Sequence, residues 1–327
     1  MGTRFDDGPG HPRSKCSSVN GVKAGLQATL TRLGRILRRV PILSTIPDPA
    51  FPIFQKFDDL ERYREHLAAS DGHCRNVEGS LTPDASFFAI SGICNVCWGM
   101  ASTFYVDRDG ENIPMWRETL TCRRCRLSNR KRAIVEYMAT LPMGSDAEVF
   151  VAESAARFVG AFRKRFRNVT VGEYVSSDTA RGLVSSRGVR HEDLTSLSFS
   201  DNSLDAICAS EVLEHIFNYR DALSEAFRAL RPDGVLVLTV PFLRGQFATS
   251  VRAIAIPGAP IVHLEPPEYH EDPSSDNGIL CFYHFGWDLL AALREHGFTG
   301  VGVVECWAPH EGHLGDCLLI TGSKPAI

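Results

Sequence analysis

Nowhere in the chain do about 18 apolar residues follow one another without interruption. A membrane-crossing helix needs such a run, so none is expected. The opening residues, Met1 to Asn20, are polar and lack the apolar core of a secretory signal. They read as a flexible tail (1–20), and a cytoplasmic location is the expectation. A disulfide framework is also missing. Of ten cysteines, four fall into two CxxC pairs and the rest are scattered, which in a reducing compartment favours metal over bridges. No internal repeat is visible. Positive charge is scarce in the larger part: residues beyond 140 carry 15 Lys and Arg against 24 Asp and Glu, whereas residues 1–140 carry 20 against 15. An acidic second half argues against a polyanion lying across its whole face, because phosphate binding depends on neutralisation by Lys and Arg.

What is present fits a globular protein: 327 residues, 44% hydrophobic and 23% charged, enough for one large domain and a smaller module. Residues 21–85 read as a helical N-terminal region. Val22, Leu26, Leu30, Leu33, Leu37 and Val40 recur at helical spacing among Lys23, Arg32, Arg35, Arg38 and Arg39, which makes a basic amphipathic helix. Its apolar stripe can dock on the protein or make a peripheral membrane contact. A proline-rich connector (Pro41, Pro47, Pro49, Pro52) and a second helix over Asp58–Ala69 follow.

Residues 86–142 read as a zinc-ribbon module plus a helix. Cys94 and Cys97, then Cys122 and Cys125, offer two tight turns whose four thiolates can close a tetrahedral Zn2+ site with no position left for water, hence a structural ion. Thr103–Val106 and Glu118–Thr121 are strand-like, with Asp109-Gly110 as a turn between them. The run Ser128–Leu141 is helical with Ser128 as cap. Arg123, Arg124, Arg126, Arg130, Lys131 and Arg132 form a basic patch that can meet phosphate or the carboxylates of the acidic half.

From residue 147 to 327 strand and helix patterns alternate. Strands are expected at Glu148–Ala152, Val169–Tyr174, Val189–His191, Leu204–Ala209 and Val235–Val240, and helices near Ala155–Phe166, Asp221–Leu230 and Trp287–His296. An antiparallel hairpin, Val301–Cys306 with Cys317–Thr321, closes the sheet. The fold class is therefore α/β, a doubly wound, mostly parallel sheet of Rossmann-like type with a C-terminal antiparallel hairpin. In such a sheet chemistry is sought just beyond the carboxyl ends of the strands.

The segments His191-Glu192-Asp193-Leu194, Ser203–Asp205, Ser210-Glu211-Val212-Leu213-Glu214-His215 and Arg228-Ala229-Leu230-Arg231-Pro232-Asp233-Gly234, followed by Val235–Pro241, closely resemble the class I S-adenosylmethionine-dependent methyltransferases of the type 11 group. The CxxC front end with Trp116-Arg117-Glu118 also resembles zinc-ribbon methyltransferases associated with glycan and natural-product modification. The resemblance implies S-adenosylmethionine as cofactor. It implies Glu173 on the ribose hydroxyls, Asp193 and the Leu194 backbone on the adenine, and Ser210 and Glu211 at the methionine end. One departure stands out. The loop after the first strand, Ala152-Glu153-Ser154-Ala155-Ala156-Arg157, has no glycine before Gly160, although Glu153 can bind the methionine ammonium.

Glu211, Glu214 and His215 would share one face at the start of a helix and could converge on a divalent ion. Two metal-using families resemble this set, the ubiquinone-type O-methyltransferases and the small-RNA 2′-O-methyltransferases, and His284 is placed as the latter's additional histidine. The favoured alternative is a metal-free motif with a structural Glu214 and His215 as a packing residue or base. His215, His284 and Glu211 are the catalytic candidates. His263, Glu265, His270 and Glu271 belong to a proline-rich insertion, Pro257–Asn277, expected over the active site, where long loops usually set substrate choice; a solvated loop is the equal alternative. Methylation of a small-molecule or saccharide acceptor is the leading expectation. RNA methylation gripped by the basic module, and a degenerate binding domain without the glycine loop, are the alternatives.

Overall fold

The computed structural model describes residues 53–176, 178–186, 188–272 and 275–326. The expected tail, the basic helix over 22–40 and the proline-rich connector lie outside the described residues. From Phe54 onward, the centre is a seven-stranded sheet. Its strands are β1 (Phe54–Phe57), β5 (Glu148–Val151), β6 (Asn168–Val171), β7 (Leu204–Ser210), β8 (Leu230–Thr239), β15 (Thr299–Cys306) and β16 (Leu318–Ser323), in the order β1-β15-β16-β8-β7-β5-β6. β6, β5, β7 and β8 run parallel, whereas β16, β15 and β1 are antiparallel. The fold is the expected Rossmann-like α/β arrangement with its C-terminal hairpin.

Alternation along the strands explains the layers. Phe150, Ile207, Ala209, Leu236 and Leu238 face one way, onto helices α1 (Leu60–Leu81), α5 (Tyr219–Ala229) and α6 (Asp288–Glu295). Val149, Val151, Ala206, Cys208, Val235 and Val237 face the other, onto α3 (Asn129–Thr140) and α4 (Ala156–Arg165). The central strands are buried on both sides, and that is why they read as continuous apolar runs. Each fully buried Phe or Leu in these layers contributes about 2 kcal/mol by area alone.

Three expectations are corrected. The strand foreseen over Val189–His191 shrinks to isolated bridges, Glu173–His191 and Val184–Arg190, because Arg190 and Glu192 form an ion pair rather than presenting apolar faces. The helix foreseen over Asp58–Ala69 runs on to Leu81, capped at its start by Asp59, whose carboxylate accepts from Arg62 N at 2.9 Å. The strand-like Glu118–Thr121 is instead a helical turn, α2 (Trp116–Thr119), followed by the two-residue strand β4 (Thr121–Cys122).

The cysteine module is a three-stranded antiparallel sheet, β2 (Phe87–Cys94), β3 (Met100–Asp107) and β4, in that order. Its core is shared with the loop joining β15 to β16: Phe104, Trp116 and Leu120 pack with Trp307 and Leu314. Gly312 lies under the Phe104 ring at φ +70°, where an added Cβ would come 2.6 Å from Phe104 Cζ. Arg132, fully buried, donates to the Glu311 and Gly312 carbonyls and lies 4.5 Å over the Phe104 ring. Arg132 thus belongs to the core rather than to a basic surface.

Between β8 and α6 an insertion forms three short ribbons: β9 (Ser250–Val251) with β14 (Tyr283–His284), β10 (Ala253–Ile254) with β11 (Val262–His263), and β12 (Tyr269–Asp272) with β13 (Ser275–Leu280). Phe282 N donates to Glu214 O at 2.8 Å, and Phe242 bridges Phe285. The insertion is thereby tied to the segment after β7.

Candidate active site

The loop after β5 runs without glycine and without strain: among Ala152, Glu153, Ser154 and Ala155 no residue has a positive φ. Close approach is arranged one strand away. At Gly172 a Cβ would meet Glu192 Cγ at 2.7 Å, so the glycine lets β6 and the His191–Asp193 segment touch. Ser154 N, at the end of this loop, donates to Glu173 Oε1 at 2.6 Å. Glu173 in turn bridges His191, whose Nδ1 accepts from Val175 N at 2.9 Å. Asp193 Oδ1 accepts from Thr195 N and Oγ1, both at 2.8 Å, which fixes an Asx turn beside buried Leu194. Glu153 and Glu173 thus follow β5 and β6, joined through Ser154 N, and Asp193 and Leu194 lie two and three residues beyond the His191 bridge.

The methionine end, foreseen at Glu153, Ser210 and Glu211, is met by cations from the cysteine module. Lys131, on α3, pairs with Glu153, and Arg130 donates to Ser210 Oγ. Arg130 also holds Glu118 at 3.0 Å. Arg117, from the α2 turn, donates to Glu211 Oε1 at 2.5 Å and to Val240 O. Burial works against ionisation of Glu211, but the Arg117 and Arg130 charges outweigh it and hold the carboxyl below the usual carboxylate range. Glu211 itself sits in the left-handed region at φ +55°, a strained position for a residue with a side chain. Of the basic patch, Arg123, Arg124 and Arg126 are exposed, whereas Arg130, Lys131 and Arg132 turn inward.

Glu211, Glu214 and His215 do not converge as on a helix. The segment is a single 3-10 turn, Leu213–His215, and Glu211 is engaged by Arg117. A different trio comes together: Glu214, His215 and His270 bring ligand-type atoms within 4.8 Å of one another. Glu214 is fully buried and neither carboxylate oxygen has a hydrogen-bond partner. Its Oε1 lies 3.5 Å from His270 Nδ1 and 3.6 Å from His215 Nε2. The neighbouring Cys281 sulfur and the Glu214 carboxylate push the His270 imidazole up to about 11. His284 stands one step out, 3.1 Å from Glu268, which also meets His270 Nε2 at 3.1 Å and Arg252 at 3.2 Å. Glu265 ties Arg252 and Ser250 together, and His263 lies on the exposed β11.

The four cysteines also meet. Cys94 and Cys125 sulfurs are 3.9 Å apart, as are those of Cys97 and Cys122, and Ser102 Oγ lies 3.0 Å from the Cys122 sulfur. Sulfurs bound about 2.3 Å from one tetrahedral ion stand about 3.8 Å apart. The residues present therefore fit such an ion.

A cavity of about 480 Å³ opens between α1, the α2 turn and the β15–β16 loop, with Glu78, Glu118, Asp316, Arg117, Trp116 and Trp307 among its walls. Trp307 Nε1 and Gly315 N both donate to Glu78. Burial pushes the Glu78 and Asp316 carboxyls up.

A family model described as a methyltransferase domain matches residues 136–238, about a third of the chain, from the middle of α3 to the end of β8. A probable S-adenosylmethionine-dependent methyltransferase of Mycolicibacterium smegmatis is 38% identical over 53 residues, 16% of this chain and 21% of that protein. The match thus spans about a fifth of the relative's length. Among solved structures, an S-adenosylmethionine-bound amino pentose methyltransferase from Micromonospora echinaspora is 15% identical, covering 60% of this chain and 90% of that one with a TM-score of 0.39. An S-adenosylmethionine-dependent methyltransferase from Mesorhizobium loti is 16% identical, with 60% and 98% covered and a TM-score of 0.36.

The sequence reading missed two features, which groups the cations of the cysteine module meet and where His270 lies. Arg117, Arg130 and Lys131 pair with the very carboxylates and hydroxyl assigned to cofactor. Their crowding around two cysteine knuckles was the available signal, yet nothing local pointed to Glu153, Ser210 and Glu211. His270 was noted only as one member of an insertion, and its approach to Glu214 depends on the β12–β13 ribbon folding back.

Proposed function

We propose that this protein transfers the methyl group of S-adenosylmethionine to a small, polar, hydroxylated or amino-bearing acceptor. The observation that supports this most directly is the set of carboxylates Glu153 and Glu173, which follow β5 and β6, and Asp193, beyond the His191 bridge, inside the segment matched by the methyltransferase-domain model. A carboxylate is purely an acceptor, so Glu173 suits two ribose hydroxyls and Asp193 an exocyclic amine. Lys131 and Glu153, paired across the loop, offer one partner each to the carboxylate and ammonium of an amino acid. Lys131 and Glu153 would then each hold one end of that amino acid in place of one another.

The bound cofactor supplies an activated methyl group; the chain's own residues position the acceptor and take its proton. Positioning accounts for most of such a rate enhancement. The cavity beside Arg117 and Arg244, rich in carboxylates and flanked by Trp116 and Trp307, suits a small polyol or amine and disfavours a phosphate polymer. Proton removal falls to His284, which Glu268 holds at 3.1 Å next to the Glu214–His215–His270 group. The four cysteines would hold a structural Zn2+, which would keep α2 and α3, and so Arg117, Arg130 and Lys131, at the site.

Calorimetry of the full-length, zinc-loaded protein with S-adenosylmethionine and S-adenosylhomocysteine tests the reading. Binding of both is expected, and Glu173→Ala weakens it at least about tenfold, since a lost charged hydrogen bond costs about 1.5–3 kcal/mol. No detectable binding to the folded wild type refutes the reading.

A further inference from the structure

We infer that Glu214, His215 and His270 form a binding site for a divalent transition-metal ion, separate from the four-cysteine site. Two imidazoles and one carboxylate are the donor set that suits Zn2+ and its neighbours, and three protein ligands leave a coordination position open.

Four observations support the site. Glu214 is buried with neither oxygen hydrogen-bonded and with two imidazoles in ion-pair range of Oε1, an arrangement that a cation between them would stabilise. The distances are right: ligand atoms about 2.0–2.2 Å from a tetrahedral ion stand about 3.4 Å apart, against 3.5 and 3.6 Å from Glu214 Oε1 to the two histidines. Each histidine is oriented from behind. His215 Nδ1 lies 2.8 Å from Leu280 O, so it donates there and leaves Nε2 bare. His270 Nε2 lies 3.1 Å from the Glu268 carboxylate, leaving Nδ1 toward Glu214. A backbone carbonyl and a carboxylate behind ligating imidazoles are the usual means of fixing tautomer and raising basicity. Finally, Glu268 is itself held, by His284 and Arg252.

Glu211 is no part of this set, being engaged by Arg117. The ion would lie between the turn after β7 and the insertion. If the methyl-transfer reading holds, an acceptor oxygen entering the open position is polarised and loses its proton more readily. Metal binding itself does not rest on that reading.

Zinc content of the full-length protein, measured after gel filtration from excess Zn2+ and without S-adenosylmethionine, tests the inference. The His270→Ala variant is expected to hold about one ion fewer per chain than the wild type. His263→Ala, on the exposed β11 strand, holds as many as the wild type, and Glu268→Gln weakens binding about tenfold. Glu214→Gln should match His270→Ala. Should Glu214→Gln fail to fold, His270→Ala decides, since that side chain is on the partly exposed insertion. Equal zinc content in wild type and His270→Ala, or equal losses in His263→Ala and His270→Ala, overturns the site. Loss of cofactor binding with zinc content unchanged would instead count against the methyl-transfer reading alone.

Discussion

At the scale of single residues, the site is a set of charges already spoken for. Glu153, Ser210 and Glu211 each meet a cation from the cysteine module, which lets these groups stay partly buried without a ligand. The Arg117–Glu211 pair has a definite pH signature. Because the folded-state value of Glu211 lies below the ordinary one, its contribution to stability is present above the unfolded carboxylate range and is lost as pH falls through the folded value. Urea unfolding of wild type and Glu211→Gln should therefore differ by about 2 kcal/mol at neutral pH and converge in acid. A difference that persists below the carboxylate range would show that the pair is not its source.

Among elements, α2 and α3 matter most. α2 lies between the two cysteine knuckles and α3 follows the second, yet α3 packs on the sheet through Ile134, Val135 and Met138 and carries Arg130 and Lys131. Four thiolates around one ion would hold both elements in register with β5 and β7. Removing zinc with a chelator is expected to weaken S-adenosylmethionine binding along with lowering the melting temperature, both read by calorimetry. Unchanged cofactor affinity in zinc-free protein would detach the ribbon from the site. The insertion works similarly on the other side: β12 and β13 bring His270 against the turn after β7, a meeting of residues 56 positions apart in sequence.

Over the described molecule, cysteine module and sheet share a core. Gly312, at φ +70° with Phe104 in contact range of a Cβ, is a close approach that only glycine permits. Gly312→Ala is expected to cost about 2 kcal/mol, through strain and overpacking, and to lower the melting temperature by about 4 °C. A second transition in the variant's thermogram would indicate that the ribbon melts alone, and an unchanged melting temperature would remove the joint from the account of stability.

What the chain determined by itself was local. The apolar runs of β5, β7 and β8, the helices at Ala156–Arg165, Tyr219–Ala229 and Asp288–Glu295, the closing hairpin and the two CxxC turns all express short-range periodicity or spacing, and all are in the structure. Longer-range matters were decided by tertiary structure. Strand β1 closes the sheet edge by pairing with β15, residues some 250 positions away. Arg117 finds Glu211 across 94 positions, and His270 replaces Glu211 beside Glu214. An ion pair or a ligand set depends on where side chains end in space, and a local pattern carries no information about a partner that only the folded sheet and its insertion bring near.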